Sequence, residues 1–179
     1  KKNKKNTVQF YSQSMKDASQ HLIIVEQELR QAITNNEFEL YLQPIIDIKT
    51  NCINKAEALI RWNHPEKGLV SPDSFIPVAE RSGLIITIGE WVINRTCQIS
   101  KQLSELGFDI KISMNLSPSQ VADSNLFTYL KDCIQNNQVS PYLLELEVTE
   151  DVLVDDYSVV ETLLSNARAM GMSVSVDDF

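Results

Sequence analysis

Cysteine, positive charge and long apolar runs are all scarce in this chain. The three cysteines, Cys52, Cys97 and Cys133, are odd in number and widely spaced. They suggest neither a disulfide framework nor a CxxC zinc site, and they fit a reducing cytoplasm. Lys plus Arg number 16 against 24 Asp plus Glu, a formal charge of −8. That balance argues against broad binding to a nucleic-acid backbone, so duplex nucleic acid is not an expected partner. An anionic ligand would need local help, from metal ions or single arginines. No apolar run approaches the roughly 18 to 20 residues of a membrane span, and the Lys-rich start has no apolar stretch of the kind a secretory signal needs. No membrane contact is expected of this segment. Repeats and low-complexity tracts are absent too.

What is present is ordinary for one globular domain with a real core: 179 residues, 43% apolar and 22% charged. Residues 1–13 run from a basic stretch into a short β-prone segment and read as a linker. Met15, Ala18, Leu22, Val25, Leu29 and Ile33 then recur at helical spacing. Beyond them, strand-like runs alternate with helical patterns. The runs are FELYLQPIIDI, CINKAEALIRW, FDIKISMNLS, LLELEVTE and SVSVDDF. Helices are expected near 73–82, 87–106, 124–136 and 156–170, with Ser71 and Pro72 opening the first and Gly83, Gly107 and Gly171 standing where helices should stop. This alternation predicts an α/β fold with a parallel sheet or barrel.

Each apolar run carries ionisable or amide side chains near its C-terminal end. Side chains alternate faces with period two, so Glu57, Leu59 and Arg61 share a face, as do Glu145 and Glu147, and as does Asp177 with Ser173 and Ser175. In a (β/α) barrel both faces of a strand are covered, so a carboxylate there must be paired, hydrogen-bonded or metal-bound. Active sites of such barrels lie at the C-terminal strand ends. Gln43, Glu57, Arg61, Asn115, Glu147, Asp177 and Asp178 are expected at or near that level. They offer mostly hard oxygen ligands and no thiolate, which favours Mg²⁺ or Mn²⁺ over zinc. Structural roles stay open beside these. Glu57 and Arg61 could be a buried ion pair, and Glu147 and Glu150 solvated strand-end charges. Asn115 could be a turn former, and Asp177 with Asp178 could cap a turn. His64 reads as a structural loop residue, and Trp62, Trp91 and Phe75 as core.

The residues also form ordered motifs. Glu57-Ala58-Leu59 within KAEALIRW resembles the signature of EAL domains. LQPI around Gln43, SPDSFIPVAERSGLI from Ser71, NLSP from Asn115, ELEVTE ending at Glu150 and VDDF at Asp177 to Phe179 follow that family's order over residues 37–179. The resemblance implies a TIM-like (β/α)8 barrel that hydrolyses cyclic di-GMP to linear pGpG with two divalent cations, Mg²⁺ or Mn²⁺, per site. By position it implies that Glu57, Asn115, Glu147 and Asp177 hold one metal. Asp177 would bridge to a second that Asp178 also helps hold. Arg61 would meet a substrate phosphate, Gln43 and Leu59 would help place the nucleotide, and Glu150 would steady the loop after the VDDF strand. A homodimer through the domain is a further implication.

Residues 1–11 are similar to the last strand of a GGDEF diguanylate cyclase domain where it runs into an EAL domain. A GGDEF domain in cis is therefore expected upstream, with any membrane anchor of the parent protein upstream as well. The family continues beyond Phe179 with three more strands, carrying a lysine general base and another metal-binding glutamate. This chain is thus expected to hold about the first five strands, with residues 14–179 as the N-terminal portion of the domain. The alternatives are a catalytically silent EAL domain acting as a cyclic di-GMP receptor or protein-interaction module, or an unrelated metal-dependent barrel enzyme.

Overall fold

The computed structural model describes residues 13–149 and 157–177. Helix α1, Gln13–Asn35, precedes strands β1 (Phe38–Asp47), β2 (Cys52–His64) and β3 (Gly68–Val70). Helices α2 (Pro72–Ser82) and α3 (Leu84–Glu105) lead to β4 (Lys111–Leu116). The short α4 (Pro118–Val121) and α5 (Leu126–Asn137) precede β5 (Leu144–Thr149), and α6 (Tyr157–Ala169) precedes β6 (Ser173–Asp177). These form one six-stranded sheet ordered β1-β2-β4-β5-β6, with β3 pairing β2 off that path. This is an α/β arrangement of the TIM-like kind, a part of a barrel.

β2, β4, β5 and β6 are parallel neighbours, each reached by crossing over through helices, as parallel pairing requires. β1 departs from the expected parallel order, since it pairs antiparallel with β2 from Phe38↔Trp62 to Asp47↔Cys52. The reason is the connection: only Ile48 to Asn51 separate the two strands, too few for a crossover helix, and Asn51 takes a positive φ of 54° to close the hairpin. β3 is a short strand that the sequence pattern did not reveal.

The apolar face of the sheet meets the helices. Ile112, Met114, Leu116, Leu144, Leu146 and Val148 are buried against α3, α5 and α6. A second cluster joins Val25, Leu29 and Ala32 of α1 to Phe38, Trp62, Phe75 and Ile88. Trp62 stands edge-on to Phe75 at 5.6 Å, so both belong to the core, and Trp91 packs on Phe38 at 5.8 Å. The indole Nε1 of Trp62 donates to Glu37 Oε2 at 3.0 Å. The helix boundaries near 71, 83, 107 and 171 stand as read. Ser71 is the extended N-cap before Pro72, although its hydroxyl makes no capping bond, and Gly83, Gly107 and Gly171 all have positive φ. Residues 1–12, and with them the linker reading, lie outside the described residues, as do the side chains of Met15 and Ala18.

Candidate metal centre and phosphate site

The other sheet face is polar, and the register stacks its residues in layers. Glu57 aligns with Gln43, Ser113, Glu145 and Ser173. One pleat further toward the C-terminal ends, Asn115, Glu147 and Ser175 align. Beyond them Asp177 pairs with Thr149. All sit on one face because each strand contributes every second residue.

Within this stack Asn115 Nδ2 donates to Glu57 Oε1 at 2.7 Å. With its amide nitrogen engaged, the Asn115 oxygen Oδ1, the one atom of that side chain able to ligate a cation, is left for another partner. Glu147 is 9% exposed, and its Oε1 accepts from Lys55 Nζ at 2.8 Å and from Ser175 Oγ at 3.4 Å. The same Lys55 ammonium donates to Glu145 Oε1 at 2.9 Å. Burial would lower the Lys55 pKa, but its hydrogen bonds to Glu147 and Glu145 outweigh this and hold it above the ordinary lysine value. For Glu145 burial pushes upward, and the Lys55 hydrogen bond leaves a net shift below the ordinary carboxylate value. The Ser113 hydroxyl, in the Glu57 layer, is buried without a hydrogen-bond partner among the described residues.

The loop that carries Asn115 onward is fastened from behind. Ser117 Oγ accepts from Gln120 N, and Gln120 Oε1 accepts from Ser117 N at 2.9 Å, a reciprocal capping box. Gln120 fits only because α3 has Gly89 at the contact: a Cβ there would lie 1.7 Å from Gln120 Nε2.

Of the remaining candidates, Gln43 is exposed on β1, directly opposite Glu57. Leu59 and Asn115 line a cavity of about 480 Å³ together with Gly89, Gln120 and Thr149. Arg61 lines a smaller cavity of about 190 Å³ with Leu69 and Pro72. It donates through Nη1 to the Ile60 carbonyl at 2.9 Å and lies 5.8 Å from the Tyr41 ring centre. Among the described residues Arg61 makes no ion pair with Glu57, and its guanidinium retains donors for an anion. His64 is buried and accepts from the Glu66 and Lys67 amides at Nδ1, a turn-closing role. Asp177 is placed by its backbone alone, while Asp178 and Glu150 lie outside the described residues.

These positions fit a hard divalent cation in the chemistry of the donors: two carboxylates and an amide oxygen, with no thiolate or imidazole. Among the described residues no three His, Cys, Asp or Glu side chains converge closely enough to hold a metal by themselves, and Asn115 adds an oxygen to the two carboxylates there. Lys55, Glu145 and Gln120 were not picked out as site residues. Lys55 lies inside the KAEALIRW run, and an inward-facing lysine two residues before Glu57 was the available signal.

The EAL domain family matches residues 26–179. The chain belongs to that family. Cyclic di-GMP phosphodiesterase NbdA of Pseudomonas aeruginosa is 34% identical over 176 residues, covering 98% of this chain and 22% of the relative. The bifunctional diguanylate cyclase/cyclic di-GMP phosphodiesterase MucR of the same organism is 34% identical over 171 residues, covering 95% and 25%. The chain thus spans about a quarter of the length of these curated relatives. A solved structure of the MucR phosphodiesterase in complex with cyclic di-GMP superposes with a TM-score of 0.84 at 35% identity, covering 87% of this chain and 64% of that one.

Proposed function

We propose that this chain supplies metal-binding and phosphate-binding residues to a phosphodiesterase that hydrolyses cyclic di-GMP to linear pGpG. The observation that carries the reading is the junction of Glu57, Asn115 and Glu147 on one sheet face, with Asn115 also bordering a 480 Å³ cavity. That volume lies within the range usual for small-ligand sites.

In this reading Glu57, Asn115 through Oδ1, Glu147 and Asp177 hold one cation, and Asp177 with Asp178 holds a second, both Mg²⁺ or Mn²⁺. Divalent cations bound there would offset charge on the phosphate and ease deprotonation of a water. The chain's own side chains do the positioning. Asn115 fixes the Glu57 carboxylate through its amide, and Lys55 fixes one oxygen of Glu147. Arg61 presents a planar fork suited to phosphate oxygens. Leu59 forms an apolar wall for the nucleotide and Gln43 offers an amide on the same face, while Glu150 steadies the loop after β6.

The partners in this reading are cyclic di-GMP, a GGDEF domain joined in cis through residues 1–13, and a second copy of the domain. The proposed location is the cytoplasm. No helix among the described residues is long and apolar enough to cross a membrane. The test is incubation of the whole protein with cyclic di-GMP and Mg²⁺ or Mn²⁺, followed by chromatography. pGpG should accumulate with the wild type and not with Glu57→Gln. Absence of pGpG from the wild type with either ion would overturn the proposal.

A further inference from the structure

Lys55 is the unexpected residue on the polar face. It stands two residues before Glu57 on β2, yet its ammonium reaches two strands across to bind both Glu145 and Glu147 on β5, at 2.9 and 2.8 Å. Both glutamates are at least nine-tenths buried. Two such carboxylates, alternate residues on one face, would repel each other and be costly to ionise without a cation. The other lysine of this layer, Lys111, makes no ion pair with either glutamate among the described residues, being turned to Ser173 Oγ at 2.6 Å and to the Tyr142 ring at 4.8 Å, and it adds only a weaker pull on Glu145 through space.

Resting on the metal-site reading above, we infer that Lys55 is a resident counter-cation. It balances Glu145 and Glu147 before any divalent ion arrives, and it limits how tightly that ion is then held. The geometry gives the division of labour. Glu147 Oε1 faces Lys55, leaving Oε2 for a metal, and Glu145, held by Lys55 through its own Oε1, is the second carboxylate whose charge the ammonium offsets. The domain can therefore fold without metal, and the bound ion meets a fixed positive charge beside one of its ligands. Removing Lys55 should make the site both greedier for divalent ions and dependent on them for stability.

The experiment is Mn²⁺ titration by calorimetry, at fixed pH and without substrate, on the whole protein, paired with thermal melts in EDTA and in excess Mn²⁺. Lys55→Met should bind Mn²⁺ at least about tenfold more tightly than wild type, as loss of a like charge beside a divalent ion implies. Its melting temperature should fall in EDTA and recover in Mn²⁺ far more than that of the wild type. Lys55→Arg, which keeps the charge, should stay within about threefold of wild-type affinity. The double variant K55M/E145M removes one charge of each sign and should return to wild-type affinity and to a metal-independent melt. Lys55→Met binding equal to or weaker than wild type would overturn the inference. If Lys55→Met does not fold, the double variant decides. Folding with near-wild-type Mn²⁺ affinity supports a counter-charge, and binding about tenfold weaker than wild type shows a prop that orients Glu147 and overturns it. A wild type that binds no Mn²⁺ sinks both readings. One that binds Mn²⁺ without forming pGpG sinks only the phosphodiesterase.

Discussion

Gly89 offers a sharp test of how the Asn115 loop is held, because a single added methyl group brings two opposing effects into competition. Gly89 lies within α3, where alanine would normally stabilise a helix by about 1 kcal/mol. Its Cβ would, however, sit 1.7 Å from Gln120 Nε2 and 2.9 Å from Gln120 Cδ. No contact that short survives, so the Gln120 side chain must leave. Overpacking costs about 1 to 3 kcal/mol, and stranding the Ser117 amide by loss of its 2.9 Å bond costs about 1 to 3 more. The steric effect therefore wins, and Gly89→Ala should destabilise the domain by about 1 to 5 kcal/mol, read from urea unfolding followed by Trp62 and Trp91 fluorescence. The cause can be isolated. On a Gln120→Ala background the obstacle is absent, and Gly89→Ala should become neutral or stabilising by up to about 1 kcal/mol. Because Gln120 fastens the turn that follows Asn115, phosphodiesterase turnover should fall with Gly89→Ala. Additive effects in the double variant, within about 0.5 kcal/mol, would refute the reasoning.

A carboxylate at Glu37 is held below the ordinary value of 4.5 by the Trp62 hydrogen bond, so it stabilises the fold above that pH and the contribution is lost as pH falls through the lower folded value. Acid titrations of stability should show this component in wild type, and a Glu37→Gln protein that keeps it would contradict the assignment. Arg61→Ala should leave stability within about 1 kcal/mol, because Arg61 bonds only the adjacent carbonyl and the Tyr41 face among the described residues. The same variant should raise KM for cyclic di-GMP about tenfold or more, as loss of a charged hydrogen bond implies, and an unchanged KM would remove Arg61 from the substrate site. Burial pushes the Cys97 thiol up to about 12 and the Cys133 thiol upward too, whereas Cys52 is exposed. Native protein treated briefly with iodoacetamide near pH 8 should therefore carry its label on Cys52, as mass spectrometry would show.

Much of the fold was legible because its signals are local. The apolar runs, the helical spacing of Val25 and Leu29, and the stops at Gly83, Gly107 and Gly171 depend on neighbours a few residues away. The polarity of β1 was not readable from alternation, which is the same in either direction. The short Ile48–Asn51 connection was the overlooked clue. Within the site, Glu57, Asn115 and Glu147 could be grouped because face alternation and strand-end position are sequence properties. Their linkage could not be read, since Asn115 meets Glu57 across 58 residues and Lys55 meets Glu147 across 92. Gly89 was hidden for the same reason: a glycine in a helical pattern gives no hint that Gln120, on another element, fills the space of its missing side chain.

The inverted first strand also decides where control can enter. Phe38, the first residue of β1, pairs with Trp62 near the C-terminal end of β2, so α1 delivers the chain at the rim that holds Arg61, Asn115 and Glu147. In a sheet whose first strand ran with the others, the incoming segment would arrive at the opposite, inert end. Here a push or twist on α1 is applied on the side of the sheet that carries the candidate site. Its first points of purchase are the Trp62–Glu37 bond, on the strand that carries Glu57, and the Glu28–Lys67 bridge, on the turn that follows that strand.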